Sequence, residues 1–411
     1  MKIDIQKTGL DPARLERIGV HLDPFLEAGK LPYYDVAVMR RGRLAWRRTV
    51  GKASVETGQP IAEDSIHRIY SMTKPVTSVA LMQLFEQARF QLDEPVTRFL
   101  PEWGDGHRVW TGSHGEGFQT EPAHRPISFR DLLSHTAGLT YGPALRVLGV
   151  APESPVEDVY HTLGVRSDRG TSNDDLIASL AKVPLRYQPG ERWMYSLATD
   201  VCGALVERIS GQKLDAYFAE HIFEPLGMVD TGFHVPAEKV GRFTSAYMKT
   251  PPDPLALVET AEASPYLTPP KFLSGGGGLA GTMDDYLRFS EMLRADGALD
   301  GVRVIGERTL ELMGANHLKD GRTLNEMAIG LFSEANTVGA GFGLGLASTI
   351  DPVAAGSLAS NDRYWGGAAS TYFWFDPVEE LSVVFMTQLF PSSAYDIRRQ
   401  LKNLVYAAIV D

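Results

Sequence analysis

Ile69-Tyr70-Ser71-Met72-Thr73-Lys74-Pro75-Val76-Thr77-Ser78-Val79-Ala80 is the stretch on which the reading of this chain turns. It follows a short extended run, Ile66 to Tyr70, and opens a strongly apolar helical pattern through Leu84. Residues three apart on a helix share a face, so the Lys74 amine reaches the Ser71 hydroxyl and can help take its proton. That is the Ser-x-x-Lys arrangement of covalent acyl transfer. Spacing alone is weak, because Ser179/Lys182 and Ser210/Lys213 share it. Ser179 lies in an ordinary amphipathic pattern, and Ser210 precedes Gly211, which reads as a helix C-cap. A serine on the first turn of a helix also has a plainer use, as an N-cap for unpaired backbone N–H groups. Taken locally, nucleophile and cap stand on equal terms.

The 411 residues are enough for two to three domains, or one large domain with an insertion. An apolar fraction of 44% with 22% charged residues is that of a globular protein. A net charge of −11 without a long basic run argues against nucleic acid or an anionic membrane as partner, and a small neutral substrate fits better. One cysteine, Cys202, excludes an internal disulfide framework and any multi-cysteine metal site. Met1 to Lys7 lacks an apolar signal core and no apolar segment reaches membrane-spanning length, so a cytoplasmic location is expected.

Along the chain, Asp11 to Ala28 has a helical period stopped by Gly29. Tyr34–Met39 and Leu44–Val50 read as a hairpin turning at Arg40-Arg41-Gly42-Arg43. Gly104 to Pro126 reads as a long excursion loop; its histidines 107, 114 and 124 lack ligand spacing, so no metal is expected. Ile127 to Leu139 reads as a helix capped by Ser128 and ended near Gly138, and helices follow over 173–182, 198–209 and 214–223. Lys249 to Lys271, rich in proline, reads as a crossing or lid segment. The four glycines 275–278 lack the ending of a phosphate loop and suit close backbone packing beside a substrate. Strands return at 341–346, 372–376 and 381–387, before a closing helix over 395–409. The pattern predicts one antiparallel sheet built from both termini, 1–85 and 270–411, with a mostly helical insertion over 86–269.

No serine has glycine at both flanking second positions, which removes the sequence mark of an α/β-hydrolase. Four blocks occur instead in a telling order: Ser71-Met72-Thr73-Lys74, Leu132 to Leu139, Trp193-Met194-Tyr195-Ser196-Leu197-Ala198, and Tyr364-Trp365-Gly366-Gly367-Ala368-Ala369-Ser370. In this order and approximate spacing the chain, from about Ile5 to its end, resembles the class C β-lactamase-like serine hydrolases, and more narrowly a family VIII carboxylesterase.

The resemblance implies an α/β (α+β) fold in which an antiparallel sheet flanked by helices joins a mostly helical domain, with the active site in the cleft between them. It implies that Ser71 is the nucleophile, Lys74 shares its proton, and Tyr195 is general base and acid. It implies an oxyanion hole of the Ser71 and Ala368 backbone N–H groups, and substrate contacts from Trp365, Gly366, Gly367, Tyr141 and Leu197. His135 is then a packing residue. No cofactor is called for. The chain departs from β-lactamases at Leu197, where they have asparagine, and at Trp365-Gly366-Gly367, where they have Lys-Thr-Gly. The missing amide and ammonium would hold a β-lactam's amide and carboxylate, so the expected reaction is hydrolysis of short-chain carboxylic esters. β-Lactam or D-peptide cleavage, and acyl transfer to an alcohol, are the alternatives on the same fold.

Overall fold

The structure, a computed structural model, describes residues 2–114, 117–142, 155–329, 338–359, 361–392 and 394–411. Helix α1 (Pro12–Glu27) begins where the Asp11 carboxylate accepts from the Ala13 and Arg14 backbone N–H groups, with proline at the first helical position. Strands β1 (Tyr33–Arg40) and β2 (Arg43–Gly51) form the expected hairpin. Its two-residue turn, Arg41-Gly42, has φ of 55° and 71°, the hand that matches strand twist.

Helix α2 (Thr73–Glu86) is buried from Thr73 to Leu84, on all sides rather than on one stripe, and packs against α3 (Ala198–Ser210). The C-terminal part supplies α4 (Met283–Arg294) and five strands: β3 (Ala340–Phe342), β4 (Ala347–Thr349), β5 (Arg363–Gly366), β6 (Tyr372–Asp376) and β7 (Leu381–Met386). Helix α5 (Ile397–Tyr406) closes the chain. The seven strands make one antiparallel sheet in the order β3-β4-β5-β6-β7-β1-β2, joined between the chain's two ends where Val38 pairs with Val383. Every residue of β1, β6 and β7 is buried, so both faces of the sheet are covered. Helix α4 lies on β1, β6 and β7, while α1 packs against β2 and α5.

Three expectations are corrected. The segment 104–126 is not an excursion loop: Arg108–His114 and Gly117–Pro122 pair as an antiparallel hairpin with a bulge at Trp110–Gly112. It is anchored by the Trp110 N–H on the Leu185 carbonyl and by Arg186 stacked 5.1 Å over the Trp110 ring. Backbone pairing builds it with few buried side chains, so it carries no hydrophobic alternation. The helix expected over 127–139 spans Phe129–Leu133 alone, because His135 takes a positive φ of 55°. Its Ser128 start does hold, as a capping box with Asp131. The proline-rich 249–271 segment begins within a strand pair, Ala246–Thr250 with Asp253–Glu259, with Pro251 and Pro252 in the turn where no ladder N–H is needed. No helix among the described residues is long and apolar enough to cross a membrane.

Candidate active site

Ser71 sits in a one-turn 3₁₀ segment, Tyr70–Met72, that runs directly into α2. The N-cap of α2 is Met72, and neither helical start has a side-chain cap, so Ser71 is not serving as the cap that its position allows. Its Oγ instead accepts a hydrogen bond from Lys74 Nζ at 3.2 Å. The residue before it, Tyr70, has φ of 44°, a conformation that costs a non-glycine residue of order 1–3 kcal/mol. The two rival pairs are spent locally: Ser179 Oγ donates to the Leu176 carbonyl, Ser210 Oγ donates to that of Val206, and Lys213 pairs with Glu207.

Lys74 is 1% exposed and also donates to the Gly276 carbonyl at 2.6 Å. The glycine run reaches it because strand Ile66–Arg68 pairs with Ala280–Thr282, laying residues 275–278 beside Tyr70 and Ser71. A Cβ on Gly276 would lie 2.4 Å from Asp200 Oδ2, so glycine is required there by close approach. Asp200, on α3, escaped the sequence reading. It is buried, accepts from Ser274 Oγ at 2.6 Å and from the Gly276 N–H at 3.0 Å, and so fixes the loop whose carbonyl holds Lys74. Burial pushes its carboxyl above the usual carboxylate range, and the Lys74 ammonium pulls the other way. The available signal was a charged residue on an otherwise apolar helix face, five positions after Tyr195.

Tyr195 lies just before α3, with the Lys74 Nζ 4.5 Å from its ring centroid. Its hydroxyl accepts a hydrogen bond from Trp365 Nε1 at 3.2 Å. Trp365 is thus not in the cleft wall as expected. It is 1% exposed and packs behind Tyr195 and against Phe342, because the strand geometry of β5 turns its indole into the core. Gly366 and Gly367 likewise shape the site rather than line it. The Arg398 guanidinium covers Gly366 and donates to the carbonyls of Gly367 and Thr371 at 2.9 and 2.8 Å. A Cβ on Gly367 would lie 2.5 Å from the Ile69 carbonyl oxygen. This close approach brings the 366–371 turn, and with it Ala368, to the Ser71 side of the cleft. Ser71, Ala368, Tyr195, Tyr141 and Leu197 all border one cleft of about 270 Å³. Tyr141 packs at 5.3 Å on the Tyr195 ring, with Lys74 Nζ 5.6 Å from its own.

His135 lies beneath Tyr195, ring to ring at 5.0 Å, with its two nitrogens 3.3 Å from Ser196 Oγ and Thr199 Oγ1. It braces the segment that carries Tyr195. Burial first, and the Lys74 charge second, hold its pKa well below the usual range, so the ring stays neutral. Burial lowers buried His67 to about 3 and His107 to about 4. In the unfolded chain each titrates near 6.5. Below that pH the unfolded state takes up protons that the folded state refuses, so these groups cost stability as pH falls. The unfolding midpoint should drop steadily from pH 6.5 to 4.5, each histidine adding up to about 1.4 kcal/mol per pH unit. Urea titrations across that range check this, and a flat profile contradicts it. Among the described residues no group of three or more His, Cys, Asp or Glu side chains is placed to hold a metal ion.

A model of the beta-lactamase family matches residues 21–407. Protein Rv1367c of Mycobacterium tuberculosis is 35% identical over 374 residues, covering 90% of this chain and 89% of that one. Esterase EstB of Burkholderia gladioli is 32% identical over 432 residues, covering 98% of each. Among solved structures, EstCE1, described as a hydrolase with promiscuous acyltransferase activity, is similar with a TM-score of 0.77 at 27% identity, over 97% of this chain and 99% of that one. The chain therefore belongs to the beta-lactamase family and, within it, stands with the family VIII esterases of class C β-lactamase-like fold.

Proposed function

We propose that this protein is a serine carboxylesterase that hydrolyses short-chain esters through a Ser71 acyl-enzyme. The observation that carries the reading is the Lys74 ammonium, 3.2 Å from Ser71 Oγ and 4.5 Å from the Tyr195 ring centroid, in a cleft bordered by both residues. Ser71 Oγ attacks the ester carbonyl while Tyr195, whose phenolate form the Lys74 ammonium favours, takes its proton. The Ser71 and Ala368 N–H groups stabilise the oxyanion, a contribution worth roughly 3 kcal/mol per donor. The proton passes to the departing alcohol, and water then attacks the acyl-enzyme with the same groups acting in reverse. Full-length likeness to Esterase EstB supports ester hydrolysis.

The two-part division belongs to the same proposal. It is supported by the origin of the cleft: Ser71 and Ala368 come from 1–85 and 270–411, while Tyr141, Tyr195 and Leu197 come from 86–269. Leu197 puts a hydrocarbon at the cleft where a β-lactam would need an amide, and a cleft of about 270 Å³ suits small acyl groups. The test is a panel of p-nitrophenyl butyrate, a chromogenic cephalosporin and a D-alanyl-D-alanine peptide. The ester should give the highest kcat/KM, and equal or greater efficiency on the cephalosporin overturns the assignment. The promiscuous acyltransferase activity of EstCE1 favours acyl transfer as a second reading. It uses the same acyl-enzyme with an alcohol in place of water, and product analysis with added alcohol separates the two.

A further inference from the structure

The cleft is bordered by a cation that the proposed chemistry does not use. Arg169 lies in the loop between the helices Val156–Thr162 and Asn173–Leu180, and it borders the same cleft as Ser71. One nitrogen, Nη2, donates to the carbonyls of Phe233 and Thr268 at 2.9 and 2.8 Å, and the guanidinium lies 4.6 Å over the Tyr266 ring. These contacts fix its position and occupy both Nη2 hydrogens. Nε–H and Nη1 have no hydrogen-bond partner among the described residues, and no carboxylate there lies within ion-pair distance of Arg169. The fully buried guanidinium Arg68 is paired with Glu259, and that of buried Arg47 with Asp35 at 2.9 Å. The carboxylate bordering the cleft, Asp200, is committed to Ser274 and Gly276. A half-buried, immobilised cation facing an otherwise mostly apolar cleft is a preformed receptor for an anion, since a partly desolvated charge gains most from a partner brought by the ligand.

We propose that Arg169 selects esters that carry a carboxylate, held by its free Nε–H and Nη1 donors while the ester carbonyl lies at Ser71. This inference rests on the ester-hydrolase reading and names its substrate class. Arg169 and Ser71 border the same cleft of about 270 Å³, so carboxylate and reacting carbonyl belong to one small molecule. It has two chemical sources, the acyl side, as in half-esters of dicarboxylic acids, and the alcohol side, as in esters of hydroxy acids.

Three esters separate these by pH-stat assay: monomethyl glutarate, carboxymethyl butyrate and neutral dimethyl glutarate. The readout is the ratio of kcat/KM on each anionic ester to that on the neutral one, which a general loss of fold or activity leaves unmoved. Wild type should favour at least one anionic ester, and which one identifies the source. Arg169→Gln should lower that ratio about tenfold or more, mainly through KM, with Arg169→Lys in between. Raising salt should also lower the wild-type ratio. A wild type that prefers the neutral ester, or a ratio unchanged in Arg169→Gln, overturns the proposal and leaves Arg169 as a clamp on the Phe233 and Thr268 carbonyls. Should Arg169→Gln fail to fold, the lysine variant and the salt series decide. Failure of the underlying reading looks different: Ser71→Ala would then still turn over dimethyl glutarate.

Discussion

Replacing Ser71 with alanine is expected to lower kcat on p-nitrophenyl butyrate by about 10⁴-fold or more, while the protein stays folded. The two halves of this expectation come from different observations. Loss of turnover follows from the proposed covalent route, in which no other group forms the acyl bond. Retained stability follows from the helix starts. A serine N-cap replaced by alanine costs about 1 kcal/mol, but no side chain caps the 3₁₀ turn or α2, and the Ser71 hydroxyl is instead bonded to Lys74. Lys74 keeps the Gly276 carbonyl in the variant. Steady-state kinetics alongside thermal unfolding read both halves at once. A variant with wild-type turnover removes Ser71 as nucleophile. Lost activity with a melting point unchanged within a few degrees is the expected pairing.

Tyr195→Phe is the second large effect. Removing the hydroxyl should lower kcat by about 10²- to 10⁴-fold, the usual worth of a positioned general acid–base group. The ring contacts with His135, Tyr141 and Trp365 remain. Among the described contacts the variant loses the acceptor for Trp365 Nε1, a buried donor left unpaired at a cost of about 1–3 kcal/mol. A modest fall in the urea midpoint should therefore accompany the kinetic loss. Near-normal kcat in a folded variant would exclude Tyr195 as the proton carrier. If KM rises while kcat holds, its role is binding.

Much of this protein is written in local pattern. The period over α1, the β1–β2 turn at Arg41-Gly42, the turn Pro377–Glu380 between β6 and β7, and the glycine that ends α3 are each set by residues close in sequence. So is the pairing of Ser71 with Lys74, since three residues on a helical turn suffice to bring hydroxyl and amine together. The hairpin over 108–122 was not legible, because its stability comes from backbone pairing and from residues some seventy positions away at Leu185 and Arg186.

The candidate site divides the same way. Sequence singled out Ser71, Lys74, Tyr195 and the Trp365-Gly366-Gly367 block, and the order of those blocks pointed to the family. The tertiary structure decided which of three equally spaced serine–lysine pairs faces a cleft, and that Trp365 stands behind Tyr195 rather than beside the substrate. It also brought in Asp200 and Arg169, which no motif marks. The physical reason is separation along the chain. Lys74 meets Gly276 across 202 positions and Tyr195 meets Trp365 across 170. Local propensity fixes a residue's face and turn, but not which distant backbone comes to lie against it. That is set by close packing of α2, α3 and the covered sheet into one buried core.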